Sequence, residues 1–152
     1  MTDQPPSGNP ATDLDALKRV RDSFSRQGLV GTLGAWLVEL EPGRAVIEVP
    51  FSNRVAGQSR RFHAAVVAGI AQACGGTAAA SLLLDGADLA PRSVSVSYEG
   101  GTEGDLLRAE GQATAEGSGR WSVKVAVTCR SGDAAVTCAA ADLVFEARAK
   151  SR

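Results

Sequence analysis

Aromatic residues make up only 5% of this 152-residue chain, and His63 is its one histidine. Lysines and arginines are scattered, so the chain lacks the basic surface interleaved with stacking rings that a nucleic-acid binder needs. A formal charge of −1 gives no field that would gather a polyanion. Cysteine is scarce as well. Cys74, Cys129 and Cys138 are odd in number and lack metal-type spacing, so with a single histidine no zinc or other metal site is expected. That usage fits a reduced, cytoplasmic setting. The opening MTDQPPSGNP has no basic segment followed by an apolar one, so it does not read as a leader. Rich in proline and polar residues, it reads as a disordered tail over residues 1–11. The remaining length suffices for one core, giving a single domain over residues 12–148 and a short tail over 149–152.

What the chain does have is a run of twenty-one residues, 64–84, without one charged side chain. Arg60-Arg61-Phe62-His63 introduces it, and a single amide, Gln72, interrupts it. The length alone would permit a membrane span. Alanine and glycine dominate, however, and every other segment reads as amphipathic structure, so the run reads instead as a helix enclosed on all sides by other elements. Gly69, Gly75 and Gly76 would let neighbouring backbone approach it closely, at some cost in helix propensity.

The other elements follow from periodicity. Thr12 and Asp15 resemble a capping box, and Leu14, Leu17, Val20 and Phe24 supply an apolar stripe, which predicts a helix over about residues 13–27. Segments 29–40 and 44–50 flank Glu41-Pro42-Gly43-Arg44, where proline then glycine suits a type II turn, and together they predict a hairpin. Residues 51–61 read as a loop. Beyond the helix, Asp85-Gly86 and Pro91 mark its end. Val94, Val96 and Tyr98 then alternate with Ser93, Ser95 and Ser97, so that strand buries one face. Three more strands follow, around Leu107–Gly111, Trp121–Thr128 and about residues 135–146, separated by turns at Gly117-Ser118-Gly119 and Ser131-Gly132-Asp133. No strand–helix alternation appears, so a doubly wound parallel sheet is disfavoured. The expectation is an α+β fold in which an antiparallel sheet curls around one long central helix.

That order, together with Phe62-His63-Ala64-Ala65-Val66-Val67-Ala68-Gly69-Ile70-Ala71-Gln72, resembles the hotdog-fold thioesterases of the PaaI type, named for the phenylacetate pathway. The similarity covers roughly residues 20–147. Members carry His-Gly-Gly, or in one branch Phe-His-Ala-Gly, at the start of the central helix, and an acidic residue nine positions after the histidine. Here the histidine is His63 and the ninth position is Gln72. The strand Ser93–Tyr98 and the following Gly104-Asp105 are similar to the family's substrate-facing strand and turn, with Gly100-Gly101 where a proline is usual.

The resemblance implies hydrolysis of acyl-CoA thioesters, with coenzyme A as part of the substrate and no separate cofactor. It implies that the backbone N–H of Ala64 polarises the thioester carbonyl, as a helix N-terminus is suited to do. It makes Gln58 the upstream amide, gives His63 a mainly structural role, and offers Ser93, with Ser95, as polar residues facing the pocket of a neighbouring subunit. Arg60, Arg61, Arg92 and Arg120 are the candidates to meet the phosphates of coenzyme A. Gln72 departs from the pattern, since a carboxamide is a very poor base and a poor nucleophile but can still orient water or donate to a carbonyl. The alternative for Gln72 is a core amide hydrogen-bonded to backbone or to its symmetry mate in a second copy. Glu99, Asp85 and Asp88 read as solvated turn residues, and Cys74, on another helix face, as a buried structural thiol.

Three readings follow: a thioesterase-family protein with weak or altered catalysis, a non-catalytic binder of acyl-CoA or another acyl ligand, and a hotdog dehydratase or hydratase. The third is suggested by Ala71-Gln72-Ala73, but Ala68 stands where that chemistry needs an acid. A homodimer or homotetramer is expected, because a hotdog sheet leaves an edge that pairs with a second copy.

Overall fold

The computed structural model describes residues 10–83 and 88–148. The proposed stop at Asp85-Gly86, most of the N-terminal tail and residues 149–152 lie outside the described residues. The chain begins with helix α1 (Pro10–Ser25) and a short helix α2 (Gly28–Leu33), then strands β1 (Trp36–Glu41) and β2 (Arg44–Pro50). A 3-10 turn (Asn53–Val55) leads to the long helix α3 (Ala64–Ala80), and strands β3 (Asp88–Tyr98), β4 (Leu106–Gly117), β5 (Arg120–Ser131) and β6 (Ala134–Arg148) complete it. All six strands form one antiparallel sheet in the order β1-β2-β4-β5-β6-β3. The sheet wraps α3, which is the expected hotdog architecture.

Local details differ from expectation where signals were weak. Helix α1 starts at Pro10, so Thr12 lies inside it rather than capping it; proline suits a first turn because it lacks only an N–H that would be unpaired anyway. Helix α2 replaces the first part of the expected strand 29–40. The Pro42-Gly43 turn is present, with Gly43 at φ 79°, as its third position requires. Strand β3 runs through Pro91, and its register shifts between Pro91 and Ser93, where a bulge accommodates the missing N–H.

The core lies between α3 and the concave face of the sheet. Val67, Ile70, Ala71, Cys74 and Ala78 of α3 are buried against Ala45, Ile47, Leu107, Ala109, Val123 and Leu143. Two glycines set the distance. A Cβ on Gly111 of β4 would lie 3.1 Å from the Cys74 Sγ, and one on Gly75 would lie 3.2 Å from Leu143 Cδ1. The Cys74 thiol donates to the Ala45 and Ala109 carbonyls at 3.3 and 3.5 Å, and burial pushes it up to about 12. It is the buried structural thiol that its place on the helix suggested.

The convex face is charged. Arg44 pairs with Glu39 and Glu110, Arg108 with Glu48, and Lys124 with Asp142. Gly75 lies against Leu143, which places Leu143 on the helix side and its neighbours Val144 and Asp142 on the other. No helix among the described residues is long and apolar enough to cross a membrane.

Helix α3 is not enclosed on all sides, contrary to the expectation from its composition. Ala64, Ala65 and Gln72 are exposed, and Ala68, Gly69, Ala73 and Gly76 are only half-buried. These positions recur at helical spacing and form one open face. Composition conceals this, because alanine and glycine look the same whether covered or bare.

Candidate active site

The start of α3 is held by its neighbours rather than by a long cap sequence. His63 is extended (φ −63°, ψ 138°), and its Nδ1 accepts a 2.9 Å hydrogen bond from the Ala65 N–H. The His63 N–H donates to the Val55 carbonyl at 2.9 Å. Phe62 and Thr102 tie the loop before the helix to the β3–β4 loop twice, Phe62 N–H to the Thr102 carbonyl at 3.0 Å and Thr102 Oγ1 to the Phe62 carbonyl at 2.9 Å. Gly57 packs against His63, where an added Cβ would lie 3.2 Å from the His63 Cα. A side chain there would push the loop off the helix start.

This arrangement leaves one donor open. Val66 and Val67 both donate to the His63 carbonyl and Ala65 to the His63 ring, so the Ala64 N–H has no acceptor among the described residues. It is exposed at the positive end of a 17-residue helix. Tyr98, which sequence reasoning treated only as a core-facing residue, comes to the same place: its hydroxyl donates to the Ala64 carbonyl at 3.0 Å. The signal available in the sequence was its phase with Val94 and Val96.

His63 is poorly set up as a base. Its Nδ1 is already engaged by the Ala65 N–H, so using that nitrogen as a base would cost the helix its cap. Its position supports the structural role.

Gln72 lies two turns further along the open face of α3 and lines a cavity of about 730 Å³ between α1, α3 and the start of β3. It is exposed, and its carboxamide has no partner among the described residues. The core-amide alternative is therefore ruled out within the single chain. Asp88, expected in a solvated turn, lines this cavity with Asp22 of α1. Glu99 is exposed just beyond β3, and Asp85 lies outside the described residues.

The remaining candidates do not gather there. Gln58 is exposed at the tip of the loop closed by the Gly57 N–H on the Arg61 carbonyl at 2.7 Å, a loop in which Ser59 and Arg60 take left-handed φ of 54° and 55°. Ser93 pairs with Val144 and Ser95 with Asp142, so both point to the convex face, away from α3. Neither serine therefore faces the Gln72 cavity of its own chain: alternation put the serines opposite Val94 and Tyr98, and the valine side is the helix side. Arg92 and Arg120 converge on Glu146 at 2.6 and 2.7 Å, also on the convex face, and hold its carboxyl below the usual range. Arg61 pairs with Glu103 at 2.8 Å, and Arg60 lies 3.9 Å from Asp105 and over the Phe51 ring. Only these last two arginines are near the start of α3.

Among solved structures, the chain is similar to a thioesterase family protein from Silicibacter pomeroyi at 24% identity, with a TM-score of 0.85 over 89% of this chain and 99% of that one. It is similar to the E. coli PaaI protein from the phenylacetic acid degradation operon at 12% identity, with a TM-score of 0.79 over 92% and 98% of the two chains. A thioesterase from Haemophilus influenzae gives a TM-score of 0.75 at 14% identity, over 88% and 90%. These likenesses establish the hotdog fold. No curated protein matches the sequence. The family model that does match spans residues 25–144, from the end of α1 to within strand β6, and by it the chain belongs to the family described as a domain of unknown function, DUF4442.

Proposed function

We propose that this protein binds acyl-CoA thioesters and hydrolyses them slowly, at a site composed from two copies of the chain. The observation that carries the proposal is the pairing, on one open face of α3, of an unpartnered Ala64 N–H with an unpartnered Gln72 amide beside a cavity. The N–H is a ready donor for the oxygen of a thioester carbonyl as charge develops on it. Gln72 adds a second donor or orients a water.

Within one chain the two groups are too far apart to share a carbonyl. Eight residues at 1.5 Å each separate them by about 12 Å along the helix. A second copy solves this if its α3 runs antiparallel alongside, so that the Ala64 of one chain faces the Gln72 of the other. Strand β3 supports that arrangement: it is a sheet edge eleven residues long, and on its helix side Val94 and Tyr98 are 41% and 52% exposed. An unpaired edge of that length with bare apolar side chains calls for a partner strand. A homodimer is the expected unit, with a homotetramer as its further assembly; a monomer by light scattering would refute the two-copy site.

Catalysis is slow in this reading because position 72 supplies no base, a contribution worth about 10²–10⁴-fold where present. The test is thiol release from short-chain, medium-chain and aryl CoA thioesters, alongside calorimetric binding of the same ligands. Gln72→Asp should raise turnover by about 10²-fold. Ala64→Pro should lower it by about 10²-fold, since proline deletes the donor yet is favoured at the first helical position, and His63 already has the extended backbone that precedes proline. Binding without turnover in the natural chain, with turnover appearing only in Gln72→Asp, favours the second reading, a non-catalytic acyl-CoA binder. That reading draws on the same absence of a base.

A further inference from the structure

The cavity beside Gln72 has an unexpected wall. Helix α1 anchors itself through buried Ala16 and Phe24, with Leu17 and Val20 half-buried. The side it turns to the cavity carries Ala16, Arg19, Val20, Asp22 and Ser23, and Arg26 follows in the turn just after the helix, across from the small residues Gly69, Ala73 and Gly76 of α3. A helix serving only to cover α3 would place apolar side chains at all these positions and close the gap. Polar side chains share this wall with the apolar Ala16 and Val20, and about 730 Å³ is a volume that suits a small-molecule ligand. The arginines expected to meet coenzyme A are engaged elsewhere, by Glu103, Asp105 and Glu146. Arg26 faces the cavity and meets no carboxylate among the described residues.

We propose that the wall formed by α1 and the turn after it holds an anionic group of the bound thioester and that Arg26, in that turn, is the residue that selects for it. The inference rests on the thioester reading of the Gln72 cavity. A guanidinium presents a planar fork that matches a carboxylate or a phosphate with two parallel hydrogen bonds. Asp22 and Asp88 also line the cavity, so an anion is accommodated where the Arg26 guanidinium offsets them. Two parts of an acyl-CoA offer that chemistry, the phosphates of the carrier and a carboxylate at the far end of the acyl group.

Calorimetric titration of the full chain with four ligands separates the two sources. The ligands are hexanoyl and adipoyl thioesters, each carried on coenzyme A and on N-acetylcysteamine, which has no phosphate. If the anion is a phosphate, Arg26→Met weakens both CoA thioesters about tenfold and neither N-acetylcysteamine thioester. If it is the acyl carboxylate, Arg26→Met weakens the adipoyl ligands about tenfold on either carrier and spares the hexanoyl ones. Arg26→Lys keeps the charge but loses the fork, so it should recover only part of the affinity. Changes under twofold for every ligand, or equal losses that include hexanoyl N-acetylcysteamine, overturn the role of Arg26 while leaving the thioester reading intact. A natural chain that binds none of the four overturns both. Thermal unfolding of each variant checks that the exposed position 26 leaves the fold unchanged.

Discussion

The face of α3 turned to the sheet and the face turned away are built from the same kinds of small residue, yet their neighbours give them opposite duties. On the sheet side, Gly75 and Cys74 sit where strand backbone and branched side chains come as close as packing permits. On the other, Gly69 has nothing within 4 Å of where a Cβ would be, and Gln72 looks into a cavity. Glycine saves space in the first case and leaves it in the second. A helix can thus be the centre of the core and the floor of a cavity at once, with only the 3.6-residue repeat dividing the roles.

The contrast can be broken most forcefully by truncation. Ile70→Ala, at a fully buried position, should cost about 3–4 kcal/mol in urea unfolding, whereas Gln72→Ala, two residues on, should stay within about 0.5 kcal/mol. Comparable losses at both would mean that the open face is covered in the isolated chain. A finer probe adds one methyl group to either side. Gly75→Ala should destabilise by about 1–2 kcal/mol, because Leu143 and Val123 must give way, and Gly69→Ala should stabilise by about 0.5–1 kcal/mol through helix propensity. The same sign for both in thermal unfolding would contradict the difference in packing.

A third comparison is read through pH. The folded-state value of the Cys74 thiol, about 12, is above its ordinary value near 9, so its contribution to stability is complete below pH 9. Between pH 9 and 12 the unfolded chain ionises first, and stability should fall by on the order of 1 kcal/mol per pH unit. Cys74→Ala, compared with the natural chain across this range, should flatten part of that slope. An unchanged slope would place the titrating thiol elsewhere.

The order of elements and the antiparallel sheet were legible because β3 and β5 alternate clearly, turn signals separate the other strands, and the apolar run is long. The six-residue α2 was not, since so short a helix carries little periodicity and Gln27 makes no side-chain cap. Alternation also told that Ser93 and Val94 lie on opposite faces of β3, but not which face meets the helix; the pairing of Val94 with Leu143 decides it. The site was half legible. His63 and Ala64 stand where motif and helix start coincide, and Gln72 was visible as the lone amide. Tyr98 was legible only as a residue in phase with Val94 and Val96, and Arg26 not at all, because they reach this end of α3 through tertiary packing of β3 and of the turn after α1.

The interval from Ala64 to Gln72 is a rod that cannot shorten, and this has a genetic consequence. In a two-copy site each pocket takes its N–H from one chain and its amide from the other. A chain defective only at Ala64, mixed with one defective only at Gln72, would concentrate both defects in one pocket and leave the second whole. Two inactive alleles would then complement each other to about half the function of the natural dimer when every dimer is mixed, whereas both defects carried on one chain, paired with itself, would leave none.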